Sequence, residues 1–532
     1  MKKSYAAIFI AAAAILIGAI SYFSFKSPVK NPGETAIQFS NQPVSQLTEV
    51  KDSQIVDLKN GDAYDLTASI VKKNINGTEM KMLAYNGSIP GPTIRVAQGS
   101  EVTVNFTNNT DVPTTLHSHG VRLDNQFDGL PDITQAPIAV GKTFTYKIKF
   151  PDAGVFWYHP HIREDYAQPM GLYGNYLVTP TDVNYWSPVN QEWPITVGDL
   201  LMQNGSFAPF NSNKADHTLM GRYGNTFLVN GNTNTVFEAK QGEVARMYIT
   251  NTATARPFNL TIPGIKIKLV GSDNGRVTQE QFVDSVILAP SERVIIEAYF
   301  DQPATFPLLN KTPANTATLA NIHVTADKSQ TSYMKQFSTL RTNNDIAAAV
   351  PNLESYFNKP DDKAITLTLA MNGMGMGSGM HMMGNGQSMS NGSMGGMGDS
   401  DKIEWEDTMT AMNQNSTTDT LEWKLEDQAT GKANDQIDWS FKKGDMVKIK
   451  IFNDPSSMHP MQHPIHFHGN RFLVLTTNGA KNDNLAWKDT VLVQKGDTVE
   501  ILVDMSNPGT WMAHCHIAEH LESGMMLKYK VN

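Results

Sequence analysis

Hydrophobic and polar residues alternate along three similar segments of the chain, and each segment begins with a glycine turn. The segments are residues 98–106 (QGSEVTVNF), 241–249 (QGEVARMYI) and 443–452 (KGDMVKIKIF). A period of two is typical of β-strands that bury one face, because successive side chains point to opposite sides of a strand. The segments start 143 and then 202 residues apart. We therefore expect three homologous β-domains, the third of which contains an insertion.

The pattern predicts an all-β fold of three sandwich domains, at residues 54–182, 183–345 and 346–532. Frequent Gly and Pro, with many Val, Thr and Ile runs, favour strands joined by turns. The insertion is residues 371–398, which are almost all Met, Gly, Ser and Asn and include nine Met, one His and no aromatic or β-branched residue. Such a composition cannot build a core of its own, so we predict a mobile loop there.

One hydrophobic run, near the start of the chain, does not alternate. Residues 4–25 are uncharged, with Lys2 and Lys3 before them and Lys26 after them. A helix of about 20 residues spans a bilayer, and the paired lysines favour a cytoplasmic N-terminus with the remaining chain outside. We interpret residues 1–26 as a membrane anchor, or alternatively as a cleaved signal peptide, and residues 27–53 as a tether. We expect an exported protein, in the periplasm or on the outer face of the cytoplasmic membrane.

Composition narrows the possible functions. The 532 residues carry 43 Lys plus Arg against 52 Asp plus Glu, a formal charge of −9. This balance argues against nucleic-acid binding, which requires clustered cations. The single cysteine, Cys515, excludes an intramolecular disulfide and a cysteine-based zinc finger.

The histidines are strongly clustered. Of the 14 histidines, ten lie in four short groups, each with an H-x-H pair that a strand would place on one face. Four such pairs can offer eight nitrogens to one polymetal site. The grouped residues are His117, His119, His159, His161, His463, His466, His468, His514, His516 and His520. His217 and His323 stand alone, and we expect them to be ordinary surface or packing residues.

The cysteine indicates a second metal site. In residues 514–520 (HCHIAEH), Cys515 faces the opposite side of the strand from the two flanking histidines. His463, Cys515 and His520, with a weak thioether from Met525, form the ligand set of a blue-copper electron-transfer site. Zinc would accept similar ligands but does not explain the eight other histidines. An electron that arrives at Cys515 could pass through a flanking histidine into a polynuclear site that reduces O₂ to water.

These motifs, in this order, resemble those of the three-domain multicopper oxidases of the laccase and bacterial copper-efflux type. The similarity also includes residues 86–92 (NGSIPGP), 117–120 (HSHG) and 157–161 (WYHPH), and it covers about residues 55–532. The resemblance implies cupredoxin-like domains, four copper ions per chain, and electron transfer from a one-electron donor to O₂. A trinuclear copper cluster would lie between the first and third domains.

The resemblance also implies a role for each ligand. Type 1 copper would be bound by His463, Cys515, His520 and Met525, type 2 copper by His117 and His466, and the type 3 pair by His119, His159, His161, His468, His514 and His516. Asp128, before Gly129, matches an acidic residue that helps to deliver protons to oxygen. The second such carboxylate often follows the last type 1 histidine directly, whereas this chain has Leu521 there and Glu522 one residue later.

The methionines point to the electron donor. Thioethers prefer Cu(I), and in the resembled copper-efflux oxidases a Met-rich insertion at this position collects cuprous ions. The candidate substrate ligands are Met371, Met374, Met376, Met380, Met382, Met383, Met458 and Met461, with His459 as a further soft ligand. The alternatives are a laccase that oxidises phenols or aromatic amines and a protein that sequesters or delivers copper. Glu404, Glu406 and Asp407 leave iron or manganese oxidation open. We expect a monomer, because no β-domain need be shared.

Overall fold

The computed structural model describes residues 36–371 and 402–532. Two predictions concern residues outside these ranges: the N-terminal hydrophobic helix, and the Met-rich insertion, of which only Met371 is described. Within the described ranges, no helix is both long and apolar enough to cross a membrane. Strands form most of the regular structure, and they build three β-sandwich domains, so the all-β prediction is confirmed.

The first domain consists of two sheets that enclose an aromatic core. Its strands are β1 (Ile55–Leu58), β2 (Ala63–Ile75), β3 (Thr78–Tyr85), β4 (Thr93–Ala97), β5 (Glu101–Asn109), β6 (His117–His119), β7 (Thr143–Lys149), β8 (Gly154–His159) and β9 (Gly174–Thr179). One sheet has the order β1-β4-β9-β8-β6 and the other has the order β3-β2-β5-β7. Tyr85, Phe106 and Tyr146 pack between them and are fully buried.

The second domain repeats this two-sheet plan. Its strands are β10 (Gln191–Leu200), β11 (Met202–Gln203), β12 (Ser206–Phe207), β13 (Thr226–Val229), β14 (Thr235–Gln241), β15 (Val244–Asn251), β16 (Phe258–Thr261), β17 (Ile267–Ser272), β18 (Gly275–Val283), β19 (Val286–Leu288), β20 (Arg293–Tyr299), β21 (Ala304–Lys311) and β22 (Thr316–Lys328). The large sheets have the orders β13-β10-β15-β20-β17-β18 and β14-β22-β21-β16-β19, and β11 pairs with β12.

The third domain contains the insertion within its sequence. Its strands are β23 (Lys363–Met371), β24 (Leu421–Asp427), β25 (Asp438–Phe441), β26 (Met446–Asn453), β27 (His463–Phe467), β28 (Arg471–Thr477), β29 (Ala480–Lys481), β30 (Trp487–Lys488), β31 (Thr490–Val493), β32 (Thr498–Asp504), β33 (Gly509–Cys515) and β34 (Met526–Val531). One sheet has the order β24-β23-β26-β32-β28-β29, with β30 beside β28, and the other has the order β25-β34-β33-β27-β31.

The helices in the described ranges are short and lie between strands. The α-helices are Glu164–Ala167, Met334–Ser338, Asp345–Ala349, Glu354–Phe357, Thr410–Asn415 and Ala518–Glu522, and the 3₁₀ helices are Val44–Gln46, Asn125–Phe127 and Asn434–Gln436. The first and last of these α-helices, one from the first domain and one from the third, pack against each other. The first of them begins three residues after His161, and the last contains His520, the final residue of the fourth histidine group.

The three alternating segments all form strands, but they differ in burial. In β5, buried residues alternate with half-buried ones, with an exposed residue at each end, as the sequence predicts. Every residue of β15 is buried, including Arg246 and Tyr248, because this strand lies between β10 and β20 and its outer face is also covered. On that face, Tyr248 packs with Val155 and Leu177 of the first domain. The alternation therefore identified the strand but did not reveal the contact between domains.

Candidate metal centres

The four histidine groups meet where the first domain faces the third. Strands β6 and β8 pair so that His117 is opposite His159, and strands β27 and β33 pair so that His466 is opposite His514. Rings from the two domains also meet directly, since the ring centroids of His119 and His466 are 3.7 Å apart. The cluster, called the histidine cluster below, comprises His117, His119, His159, His161, His466, His468, His514 and His516, each at most 2 % exposed.

The ligand atoms of the histidine cluster fall into compact groups. In each group, one ligand atom from every member lies within 4.8 Å of the others. The groups are His117 with His119 and His466, His119 with His159 and His516, and His161 with His468 and His514. Each group combines residues from both domains, so the site is formed only when these two domains are correctly apposed.

Hydrogen bonds fix the rings so that one nitrogen of each is available to a metal. The Nδ1 atoms of His117, His159 and His466 donate to backbone carbonyls at 2.7–2.8 Å, and their Nε2 atoms have no hydrogen-bond partner within the described part of the chain. The Nε2 atoms of His468 and His514 face each other at 3.0 Å. Buried nitrogens without partners are costly unless a ligand satisfies them, and neutral imidazole suits copper. The residues present therefore fit several bound copper ions.

The electrostatics favour neutral rings at three of these histidines. Burial, and then the proximity of other imidazoles, lowers the pKa of His159, His161 and His468 well below the usual value. These rings carry no proton on the nitrogen that faces the cluster at neutral pH. Metal binding by them therefore requires little proton release.

A second group lies beside the histidine cluster. The Sγ atom of Cys515 is 3.5 Å from Nδ1 of His463 and 3.7 Å from Nδ1 of His520, and these two nitrogens are 3.3 Å apart. Trp423 stacks on His520, with ring centroids 4.3 Å apart. Met525 is fully buried, and its backbone hydrogen-bonds to both Cys515 and His520. We call the set His463, Cys515 and His520 the cysteine centre.

The cysteine centre fits a thiolate-binding metal. Burial raises the pKa of the Cys515 thiol strongly, so the thiolate forms only together with a cation that offsets the desolvation. Two neutral imidazoles and one thiolate are the ligand set of a blue-copper site. The neighbouring His514 and His516 belong to the histidine cluster, so three consecutive residues connect the two centres.

Asp128 lies against the histidine cluster. It is fully buried, and its Oδ2 accepts a hydrogen bond from Nδ1 of His468 at 2.9 Å. Its Oδ1 is 3.4 Å from Nδ1 of His117 and has no hydrogen bond to the described residues. The carboxylate therefore contacts histidines of both the first and the third domain.

Glu522 lies elsewhere, in a buried acidic group with Glu164, Asp165 and Glu519. Burial and the nearby Asp165 raise the pKa of Glu522 to about 8, although Arg163 opposes this shift. Glu164 links the group to the histidine cluster, since its Oε1 is 3.2 Å from Nδ1 of His161. Glu164 was not among the residues predicted from the sequence, although it lies only three residues after His161.

The candidate substrate ligands have different environments. Met458 is 62 % exposed and Met371 is 39 % exposed, whereas Met461 is fully buried two residues before His463. The Nε2 atom of His459 is buried and has no partner within residues 36–371 and 402–532. Burial lowers the pKa of His459 to about 4, against the opposing effect of Asp407. Met374, Met376, Met380, Met382 and Met383 lie outside the described residues.

Two of the three carboxylates considered for iron or manganese, Glu406 and Asp407, have polar partners within the protein. Glu406 forms an ion pair of 2.9 Å with Arg256, and Asp407 accepts hydrogen bonds from the Met409 amide and the Asn413 side chain. His217 is buried against Asp216, and His323 lies on the surface beside Glu238. These two histidines lie outside both metal-binding groups of the described chain.

Comparison with known families gives one consistent result. Family models described as multicopper oxidase match residues 68–182, 191–343 and 401–532. The chain is 27% identical over 473 residues to a multicopper oxidase of Staphylococcus epidermidis, across 86% of this chain and 85% of that protein.

Two relatives have more specific names, and these names indicate different functions. Laccase-1 of Botryotinia fuckeliana is 28% identical, across 88% of this chain and 81% of that protein. Copper resistance protein A of Escherichia coli is 23% identical, across 88% and 93%. A solved multicopper oxidase from Campylobacter jejuni has the same fold, with a TM-score of 0.66, 24% identity and coverage of 93% of this chain and 98% of that one.

Proposed function

Because the chain belongs to the multicopper oxidase family, an oxidoreductase family that uses O₂ as acceptor and four copper ions as cofactor, we propose that its electron donor is Cu(I). Oxidation of Cu(I) to Cu(II) would protect the cell envelope from cuprous ions. The observation that carries this proposal is the set of soft ligands beside the cysteine centre. Iron or manganese as donor receives less support, because Glu406 and Asp407 already have protein partners.

We propose the following ligand assignment. Type 1 copper is bound by His463, Cys515, His520 and Met525, type 2 copper by His117 and His466, and the two type 3 coppers by His119, His159 and His516 and by His161, His468 and His514. The distances within the groups and the unpartnered ring nitrogens support this assignment. The two type 3 sets each draw ligands from both domains.

The bound coppers would supply one-electron uptake at the cysteine centre and four-electron reduction of O₂ to water at the histidine cluster. The chain contributes the connection between them, since Cys515 is bonded through the backbone to both His514 and His516. It also contributes proton donors. We propose Asp128 for this role because it contacts His468, and Glu522 because a pKa of about 8 keeps it protonated at neutral pH.

The soft ligands extend from the surface towards the cysteine centre. Met458 is exposed, His459 is half-buried and Met461 is fully buried. Thioether and imidazole are ligands that Cu(I) accepts readily, whereas a phenol would require an apolar cleft. The lowered pKa of His459 keeps its ring neutral and able to bind a cation. The nine methionines of residues 371–398 add to this supply of thioethers in the same domain.

The first test compares two donors. We expect rapid O₂ uptake by the copper-loaded protein with stabilised Cu(I), and slow uptake with a dimethoxyphenol unless Cu(II) is added, because the added copper would act as the electron carrier. Oxygen-electrode traces with each donor provide the measurement. Fast phenol turnover without added copper, combined with slow Cu(I) oxidation, would instead make the protein a laccase, the candidate that the relative from Botryotinia fuckeliana favours.

A deletion tests the methionines directly. Removal of residues 371–397 should lower Cu(I) turnover at low Cu(I) concentration by roughly tenfold. This estimate assumes that the lost thioethers contribute about 1.4 kcal/mol to the binding of Cu(I), which corresponds to a tenfold change in affinity. Oxidation of bulky phenols should stay unchanged or increase. The matched control replaces the segment with Gly and Ser at the same length, and it should behave like the deletion. Unchanged Cu(I) kinetics in both variants would show that the segment has no role in Cu(I) oxidation.

The N-terminal sequence supports a separate proposal about location. The uncharged residues 4–25 and the preceding lysines favour export with the β-domains outside the cytoplasmic membrane. Fractionation of cells into periplasm, membrane and cytosol would check this proposal. A cytosolic protein would contradict it.

A further inference from the structure

A buried arginine of the middle domain lies directly behind the histidine cluster. Arg293 is the first residue of β20 and is 1 % exposed. Its guanidinium donates to both oxygens of the Asp489 carboxylate in the third domain, at 2.7 Å to Oδ1 and 2.5 Å to Oδ2. Its Nε donates to the carbonyl oxygen of Val155 in the first domain, at 3.1 Å. A single side chain therefore connects all three domains.

Asp489, which Arg293 holds in place, in turn contacts two rings of the histidine cluster. Its Oδ1 is 3.0 Å from Nε2 of His119, and its backbone carbonyl accepts a hydrogen bond from Nδ1 of His466 at 2.8 Å. The hydroxyl of Thr490 lies 3.1 Å from the same His119 nitrogen and 3.3 Å from the same His466 nitrogen. A two-residue segment thus orients one histidine from the first domain and one from the third.

The orientation of His119 is the reverse of that of its neighbours. His117, His159 and His466 are held through Nδ1, with Nε2 towards the cluster, whereas His119 is held through Nε2. The Nδ1 atom of His119 has no hydrogen-bond partner in the described structure. A carboxylate can only accept, so its hydrogen bond fixes the proton on Nε2 and leaves the lone pair on Nδ1. Asp489 therefore selects the nitrogen that His119 offers to a metal.

The surrounding chain is shaped to fit the ion pair. Gly120 has a φ of +80°, and a Cβ atom at this position would overlap both Asp489 and Arg293. The Arg293 guanidinium also donates to the carbonyl oxygen of Ser291 at 3.0 Å, and Asn274 donates to Oδ2 of Asp489 at 3.0 Å. A buried ion pair persists only where further hydrogen bonds satisfy its remaining atoms. Here the middle domain provides these additional bonds.

On the ligand assignment of the proposed function, we propose that Arg293 is a positioning residue for the trinuclear copper cluster. By holding Asp489, it fixes the ring orientation of His119 and the position of His466. The middle domain thereby controls the geometry of copper ions to which it contributes none of the assigned ligands. Groups that hydrogen-bond to metal-binding histidines typically change metal affinity by about 10- to 100-fold. Loss of the Arg293 contacts should therefore be measurable as weaker copper retention.

The test uses Arg293→Lys, which keeps the charge but loses the paired hydrogen bonds of the guanidinium. In the copper-loaded full chain, we expect copper loss to a chelator to increase about tenfold, with an altered type 2 electron paramagnetic resonance signal. The blue absorption of the cysteine centre should stay the same. The matched control is Arg276→Lys, also in the middle domain, where Arg276 makes paired hydrogen bonds to Asp345, away from both centres. This control should retain copper normally.

A second variant tests whether the effect of Arg293→Lys on bound copper arises through Asp489 and not from a general loss of structure. Asp489→Asn removes the anionic acceptor and should produce the same spectroscopic change with greater amplitude. The proposal is overturned if Arg293→Lys retains copper and its type 2 signal unchanged, or if Arg276→Lys loses copper equally. These readings concern bound copper and not donor oxidation. A protein that holds copper as assigned but does not oxidise Cu(I) would therefore contradict the proposed substrate and leave the role of Arg293 standing.

Discussion

Replacement of Cys515 by serine should abolish both the blue colour and steady-state oxidation of any donor. On the proposed assignment, the Cys515 thiolate is the strong ligand of the cysteine centre, and a serine hydroxyl has neither its softness nor its ability to ionise there. The side chain is fully buried and the exchange changes little volume, so the fold should remain. The measurement combines visible absorption, O₂ uptake and thermal unfolding of the copper-loaded variant.

A second variant distinguishes the loss of the metal at the cysteine centre from a change in the reduction potential of that metal. Met525→Leu conserves volume approximately, and on the proposed assignment it removes only a weak axial ligand, which tunes the potential of such sites. We expect this variant to stay blue and active with a raised potential. Full turnover by the Cys515→Ser variant would show that electrons enter elsewhere, and a colourless Met525→Leu variant would show that Met525 is more than an axial ligand.

The sequence could predict which side chains lie together where metal-binding residue types recur at a fixed spacing along one strand. The H-x-H pairs identified the residues that form the histidine cluster, because a period of two on a strand fixes which side chains share a face. The opposite orientation of Cys515 followed from the same rule, and the structure indeed places it away from His514 and His516, beside His463. Neither result required knowledge of how the domains pack.

Contacts between residues of different domains could not be predicted from the sequence. Arg293 and Asp489 are separated by 196 positions, and no periodicity connects a strand of the middle domain with a loop of the third. The burial of β15 on both faces depends on the same domain packing. Glu522 illustrates a third limit, since it lies in a buried acidic group with Glu164 and Glu519. Only the fold shows that these carboxyl groups are neighbours.

Replacement of Asp128 by asparagine should slow O₂ reduction by about 100-fold while leaving electron uptake from the donor unchanged. Groups that transfer protons typically contribute 10²- to 10⁴-fold to a rate, and asparagine is nearly the same size but can neither accept nor release a proton at neutral pH. Its oxygen can still accept the hydrogen bond from His468, so copper binding should persist. Stopped-flow absorption gives the two rates separately, as anaerobic bleaching of the blue centre by the donor and as its return with O₂.

The matched control is Asp132→Asn, the same chemical change at an exposed position four residues away, which should leave both rates unaltered. Glu522→Gln should slow only the return with O₂, and by less, because Glu522 reaches the histidine cluster through Glu164. Above a pH of about 8 the wild-type rate should decline towards that of Glu522→Gln, since burial raises the pKa of Glu522 to about 8 and the deprotonated form has no proton to give. If Asp128→Asn slowed bleaching instead, the carboxylate would serve electron entry, and proton delivery to oxygen would have to be assigned to the acidic group around Glu164.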